Sequence, residues 1–179
     1  MQQAPLFILT GDRASGKTTF LMHLIQILKS NGLQPEGFYA IGYWQNNQRS
    51  KFELVNITTN KRILLCKTET ETDWPYHQPY YFNPEAIRKG NDILKLSVKK
   101  NADIIIIDEV GKLEIRGFIW HHFLKKQARE MDKPMLWVIR KPFIKEALNT
   151  FGISHSTIID IEHSTPEDVF GLIKSKLKL

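Results

Sequence analysis

Cysteine is the scarcest informative residue in this chain: Cys66 stands alone among 179 residues. One thiol cannot close an internal disulfide, so a small disulfide-stapled scaffold is excluded and a reducing compartment fits. Ile63, Leu64 and Leu65 precede it, which makes Cys66 a strand residue buried for packing rather than a nucleophile. Long apolar runs are also missing. A membrane span needs roughly twenty apolar residues, and the N-terminal candidate is broken by Asp12 and Arg13. Neither a signal peptide nor a membrane span is therefore expected, and the cytoplasm is the expected compartment. No internal repeat, low-complexity linker or block of five like charges occurs. The net charge of +6 is instead scattered over pairs such as Lys99-Lys100, Lys125-Lys126 and Arg140-Lys141. Scattered charge suits a solvated surface around an anionic ligand, so nucleic acid is not an expected partner. Histidines lack metal-ligand spacing: His121 and His122 are neighbours on a helix and point to different sides.

What is present describes a globular protein, 42% hydrophobic and 25% charged, expected to form one domain over residues 1–179. Its most informative stretch runs Gly11-Asp12-Arg13-Ala14-Ser15-Gly16-Lys17-Thr18. It follows the apolar run Leu6–Leu9 and opens a helical pattern carrying Phe20, Leu21, Leu24, Ile25 and Leu28. The spacing G-x-x-x-x-G-K-[ST] between strand and helix is that of a phosphate-binding loop. Gly11 and Gly16 let backbone N–H groups converge on a phosphate, and the helix N-terminus adds partial positive charge. Lys17 supplies a cation for the outer phosphates, and the Thr18 hydroxyl supplies an oxygen for Mg²⁺. Residues Gly11 through Thr19 are the candidate nucleotide contacts.

Further along, Glu36–Ile41 reads as a strand, Gly42–Ser50 as a polar turn, and 52–57 with 62–66 as two strands joined through Asn60. A β-hairpin insert at about 37–66 follows. Residues 67–80 read as an irregular surface loop whose aromatics (Trp74, Tyr76, Tyr80 and the adjoining Tyr81) need something to pack on. Asn83-Pro84-Glu85 begins a helix reaching about Lys99. Asp103–Asp108 encloses four consecutive isoleucines, a strand apolar on both faces that belongs inside a parallel sheet. A helix over 118–131, a second two-sided strand over Met135–Ile139, a short helix after Pro142, a strand over 157–161 and a final helix capped at Thr165 complete the alternation. That alternation predicts a three-layer α/β fold with a mostly parallel sheet.

Asp108-Glu109 closes the isoleucine strand. An Asp at that point reaches the Mg²⁺ shell in phosphate-loop proteins. A Glu directly after it can orient, or take a proton from, a water aimed at the γ-phosphate. Taken in order, Gly11–Thr19, Gly37-Phe38-Tyr39, Arg49-Ser50-Lys51-Phe52 and Ile107-Asp108-Glu109-Val110-Gly111-Lys112-Leu113-Glu114 resemble the nucleoside-triphosphatase family of archaea and bacteria, which has a human member. The resemblance implies a Mg²⁺-dependent hydrolase tolerant of the base, taking ATP, GTP, CTP or UTP. It gives Lys17, Thr18, Asp108 and Glu109 the family's roles, with Thr18 and Asp108 toward the metal. It also implies that Met135–Ile139 lies between the Leu6–Thr10 strand and the Asp108 strand, with 157–161 on the other side of the first. From that order Arg140 should emerge opposite the loop, where it could meet charge developing on the γ-phosphate, while Lys141 points elsewhere. Ala14 in place of a glycine, Lys51 before Phe52 and Glu162-His163-Ser164 after the last strand depart from the family pattern. A nucleotide or small-molecule kinase and a nucleotide-dependent adaptor are the competing readings.

Overall fold

A computed structural model describes residues 4–69, 73–100, 102–130 and 132–178. Its elements are β1 (Leu6–Thr10), α1 (Lys17–Ser30), β2 (Pro35–Gln45), β3 (Gln48–Asn56), β4 (Arg62–Lys67), β5 (Tyr76–His77), β6 (Tyr80–Phe82), α2 (Pro84–Lys99), β7 (Ile104–Ile107), α3 (Lys112–Ile115), α4 (His121–Glu130), β8 (Met135–Val138), α5 (Ile144–Phe151), β9 (Thr157–Asp160) and α6 (Pro166–Leu177), with a 3₁₀ turn at Lys141–Phe143 before α5.

The strands form one nine-stranded sheet in the order β5-β6-β4-β3-β2-β7-β8-β1-β9. From β2 to β9 every pairing is parallel, and from β2 outward to β5 every pairing is antiparallel. β8 thus lies between β1 and β7, with β9 beyond β1, the order expected for these segments. The isoleucine strand shows why the interior is apolar on both sides. Ile105 and Ile107 join a core cluster with Ala86, Leu94, Leu124, Ala147 and Phe151 of α2, α4 and α5. Ile104 and Ile106 join the opposite cluster with Leu21, Leu24 and Leu28 of α1 and Val169 and Ile173 of α6. Period-2 alternation delivers successive side chains to opposite helical layers.

The segment expected as a turn at Gly42–Ser50 is mostly strand. β2 runs to Gln45 and β3 starts at Gln48, joined only by Asn46 and Asn47, both at positive φ (49° and 59°). Two left-handed residues make the tight turn whose twist matches a hairpin, and asparagine tolerates that conformation. The polar composition misleads because cation–aromatic pairs stabilise these strands: Arg49 lies 5.1 Å from the Trp44 ring and Lys51 4.4 Å from Tyr43. The ladder with β7 ends at Phe38. β2 therefore continues from Tyr39 to Gln45 past the end of β7, still paired with β3, about 20 Å at ~3.3 Å per residue. Part of the expected loop over 67–80 is also ordered as β5 and the start of β6; residues 70–72 within it lie outside the described residues. The helix expected over 118–131 begins only at His121, and α3 precedes it; Met131 lies outside the described residues.

The two halves meet at Gly90 on α2. A Cβ there would sit 2.4 Å from Trp120, whose ring is buried and packs 4.9 Å from Phe38. Alanine favours a helix over glycine by about 1 kcal/mol, whereas overpacking a closed core costs about 1–3 kcal/mol. Because Trp120 is a rigid, buried ring, Gly90→Ala is expected to lower the urea midpoint; a raised midpoint would show the contact to be soft.

Candidate functional site

All five parallel strands end on one edge, and the loop from Gly11 to Gly16 leaves β1 there. β1 is buried throughout, so the loop's root is fixed by packing. Gly11 is held closely: a Cβ would fall 2.8 Å from both Ile161 and Ser15 Oγ. Ala14 (φ 61°) and Gly16 (φ 88°) are both left-handed. Glycine takes that conformation freely, while Ala14 adopts it at a cost of about 1–2 kcal/mol. The Ser15 N–H donates to Asp12 O at 3.3 Å, and the Phe20 N–H to Gly16 O at 2.9 Å begins α1. Asp12 and Arg13 are exposed, Lys17 and Thr18 are half-buried in the first turn of α1, and Thr19 faces solvent.

Lys17 folds back over this loop. Its ammonium donates to Gly11 O at 3.1 Å, to Asp12 O, and to Ser15 Oγ at 3.5 Å. Burial holds the Lys17 pKa below its ordinary value, and Arg140 adds to the lowering; Glu109, Asp108 and Asp12 oppose it. The structure thus brings Lys17, Asp108, Glu109 and Arg140 within electrostatic reach of one another.

Asp108 is buried at 2% exposure and uses both oxygens. Oδ2 accepts the Ala40 N–H at 3.0 Å, and Oδ1 accepts the Glu109 N–H at 2.8 Å. Burial first, then the neighbouring Glu109 charge, pushes its carboxyl above the usual range. Glu109 is exposed and left-handed (φ 56°), which turns its side chain out of the strand. Two adjacent carboxylates therefore sit in unlike environments, a pattern that separates acid and base roles. The donor chemistry fits a hard divalent cation: a hydroxyl at Thr18 and a carboxylate at Asp108 are oxygen ligands.

Arg140 leaves the end of β8 on the same edge, half-buried, with its guanidinium 4.9 Å from the Phe143 ring. Lys141 points elsewhere, as expected, into a network of acids. Its ammonium reaches Asp160 Oδ2 at 3.0 Å, Glu162 Oε2 at 3.1 Å and loop residue Asp12 at 3.9 Å. Asp160, Glu162 and His163 lie close enough together to hold a metal, but Lys141 already pairs with both carboxylates of the group. Sequence reasoning missed this network because its members are far apart in the chain.

It also missed the wall formed by the antiparallel strands. The Tyr80 hydroxyl donates to Arg49 O at 3.1 Å, and its ring packs edge-on against Phe52 at 5.5 Å. Burial raises the Tyr80 pKa, while Arg13 and Arg49 pull it down and Glu109 pushes it up. Tyr80 is thus within reach of both the loop and the acidic strand end. Cys66 is buried as expected, with its thiol pushed up to about 12 by burial, which leaves it inert.

With this geometry in hand, comparison with known proteins places the chain. A family model described as NTPase matches residues 6–171. The nucleoside-triphosphatase THEP1 of Saccharolobus solfataricus is 32% identical over 108 residues, 60% of this chain and 61% of that protein. The THEP1 of Thermotoga sp. strain RQ2 is 26% identical over 176 residues, 96% of this chain and 94% of that one. The crystal structure of THEP1 from Aquifex aeolicus matches with a TM-score of 0.71 at 20% identity, covering 97% of this chain and 99% of the other. The solution structure of a human cancer-related nucleoside triphosphatase matches with a TM-score of 0.65, also at 20%, covering 96% of each. These structural likenesses carry the α/β fold with its mixed sheet. The chain belongs to the NTPase family, a family of hydrolases acting on nucleoside triphosphates.

One further carboxylate lies close by. Glu114 on α3 is 3% exposed, and burial raises its pKa from 4.5 to about 7, against the opposing bond from the Gly111 N–H. Between those values the folded protein keeps a proton that the unfolded chain releases, so this group's contribution to stability falls as pH rises through the window. At about 1.4 kcal/mol per unit the full swing is on the order of 3 kcal/mol. Glu114→Gln cannot titrate and should flatten the stability profile between pH 4.5 and 7 in chemical denaturation. An unchanged slope would mean that Glu114 is ionised throughout.

Proposed function

We propose that the protein is a cytoplasmic Mg²⁺-dependent nucleoside-triphosphatase, acting as a single domain over 1–179, that hydrolyses NTP to NDP and phosphate with broad tolerance for the base (ATP, GTP, CTP and UTP). One observation carries this reading: Glu109 stands exposed beside buried Asp108 on the edge that bears Lys17. The Gly11–Thr19 segment is the phosphate loop, with backbone N–H groups and the start of α1 receiving the β- and γ-phosphates. Lys17 exchanges its carbonyl partners for phosphate oxygens. Thr18 and Asp108 would hold Mg²⁺, which supplies charge neutralisation at the phosphates when bound. Asp108 is already aimed by its two N–H donors, so it needs no rearrangement to serve.

Glu109 orients the attacking water and accepts its proton. Its exposure keeps it solvated, whereas Asp108 is desolvated, which divides the labour between them. Arg140 meets charge that develops on the γ-phosphate oxygens. A kinase would need an acceptor in place of water, whereas an exposed carboxylate beside the strand-end aspartate can direct water itself. No protein partner is invoked.

Lys17→Ala removes ground-state charge and should weaken nucleotide binding. Glu109→Gln keeps shape and hydrogen bonding, so binding should survive while turnover falls by about 10²–10⁴. Equal binding and turnover losses in both variants would contradict the division of roles. For Arg140→Ala, kcat should drop more than about tenfold at nearly constant Kd, since the contact tightens in the transition state. An unchanged kcat would return Arg140 to an ordinary strand-end cation stacked on Phe143.

A further inference from the structure

Glu109 has a backbone conformation that it would not choose alone. It is left-handed (φ 56°), and a non-glycine residue stays there only where its surroundings over-determine it. Its N–H is bound to Asp108 Oδ1 at 2.8 Å, and the following Val110 N–H donates to Val138 O at 3.0 Å. Beyond that the Gly111 carbonyl accepts the Ile115 N–H at 3.0 Å, and the Gly111 N–H donates to a side chain, Glu114 Oε2, at 2.9 Å.

That partner is an expensive choice. Glu114 is 3% exposed, and its neighbours Leu113 and Ile115 pack against the core. An acidic side chain resists such surroundings, and a four-residue helix could be capped by an exposed side chain at far less cost. The main chain of Glu114 is tied as well, with its carbonyl 2.7 Å from His121 Nδ1 at the start of α4. Glu114 is thus anchored to α4 at one end and grips the turn beyond Glu109 at the other. The bond needs an acceptor oxygen but no charge, so a neutral acid serves as well as an anion.

We propose that Glu114 is a positioning residue for water activation, holding Glu109 in its left-handed turn through the Gly111 N–H. This rests on the assignment of Glu109 as the water-orienting group. Glu114→Gln retains an acceptor oxygen and is expected to keep kcat within about threefold. Glu114→Met keeps the shape, removes the buried acid and loses the acceptor. It should fold with equal or higher Tm, yet lose at least tenfold in kcat, with unchanged Kd for the non-hydrolysable β,γ-imido analogue of ATP. A residue that served the fold alone would move Tm and kcat together.

A double-mutant cycle completes the test. If Glu114 acts through Glu109, Glu114→Met should have no further effect on the residual rate of the Glu109→Gln variant. Wild-type kcat in Glu114→Met overturns the proposal, as does an equal loss in both backgrounds or a loss shared by Glu114→Gln. Wild-type turnover in Glu109→Gln alone would overturn the Glu109 assignment itself. A slow Glu109→Gln beside an active Glu114→Met would overturn only the positioning role.

Discussion

A single buried carboxylate holds the working edge of this sheet together. Asp108 ends a strand whose four isoleucines are buried, and desolvation there is tolerable because each oxygen receives a backbone N–H, one from Ala40 and one from Glu109. The first bond extends the grip of β7 on β2 past the last ladder pair at Phe38, so the projecting hairpin starts from a fixed point. The second bond turns the chain sharply and sends Glu109 toward solvent. Remove the carboxylate and the buried Ala40 N–H loses its partner, at about 1–3 kcal/mol, while the part-buried Glu109 N–H loses its own. The hairpin wall and the exposed acid then lose their common anchor.

Charge on this edge is organised around that anchor. Lys17 and Arg140 lie on the loop side of the two acids, Arg13 and Arg49 near Tyr80. Lys141 is withdrawn from them into a separate network with Asp160, Glu162 and Asp12. That network stands where the sequence departs from its family pattern after the last strand, and it ties the loop to β9 through ion pairs instead. Its members are a third to two-thirds exposed, apart from Asp160 at 26%, so it orients the segment more than it stabilises the fold.

What could be read in the sequence was set by local pattern. The G-x-x-x-x-G-K-T spacing, the isoleucine run and Asp108-Glu109 are each contiguous, and the parallel order around β8 followed from two-sided strands and the family resemblance. Asn83 and Thr165 cap their helices as their residue types foretold. Features that depend on distant partners stayed hidden. The length of β2 and β3 rests on cross-strand pairs such as Arg49 with Trp44, which composition reads as a polar turn. Glu114 is legible only as the end of the Ile107–Glu114 motif, and its burial appears only in the fold; Tyr80 reaches the site only because β6 pairs with β4.

Phosphate release without any added acceptor tests the central claim most directly. The purified chain would be incubated with ATP, GTP, CTP or UTP, with and without Mg²⁺, while NDP and inorganic phosphate are both quantified. The account predicts NDP and phosphate in equal amounts from all four nucleotides, dependent on Mg²⁺. Nucleotide that binds but releases no phosphate until a phosphoryl acceptor is supplied would contradict it.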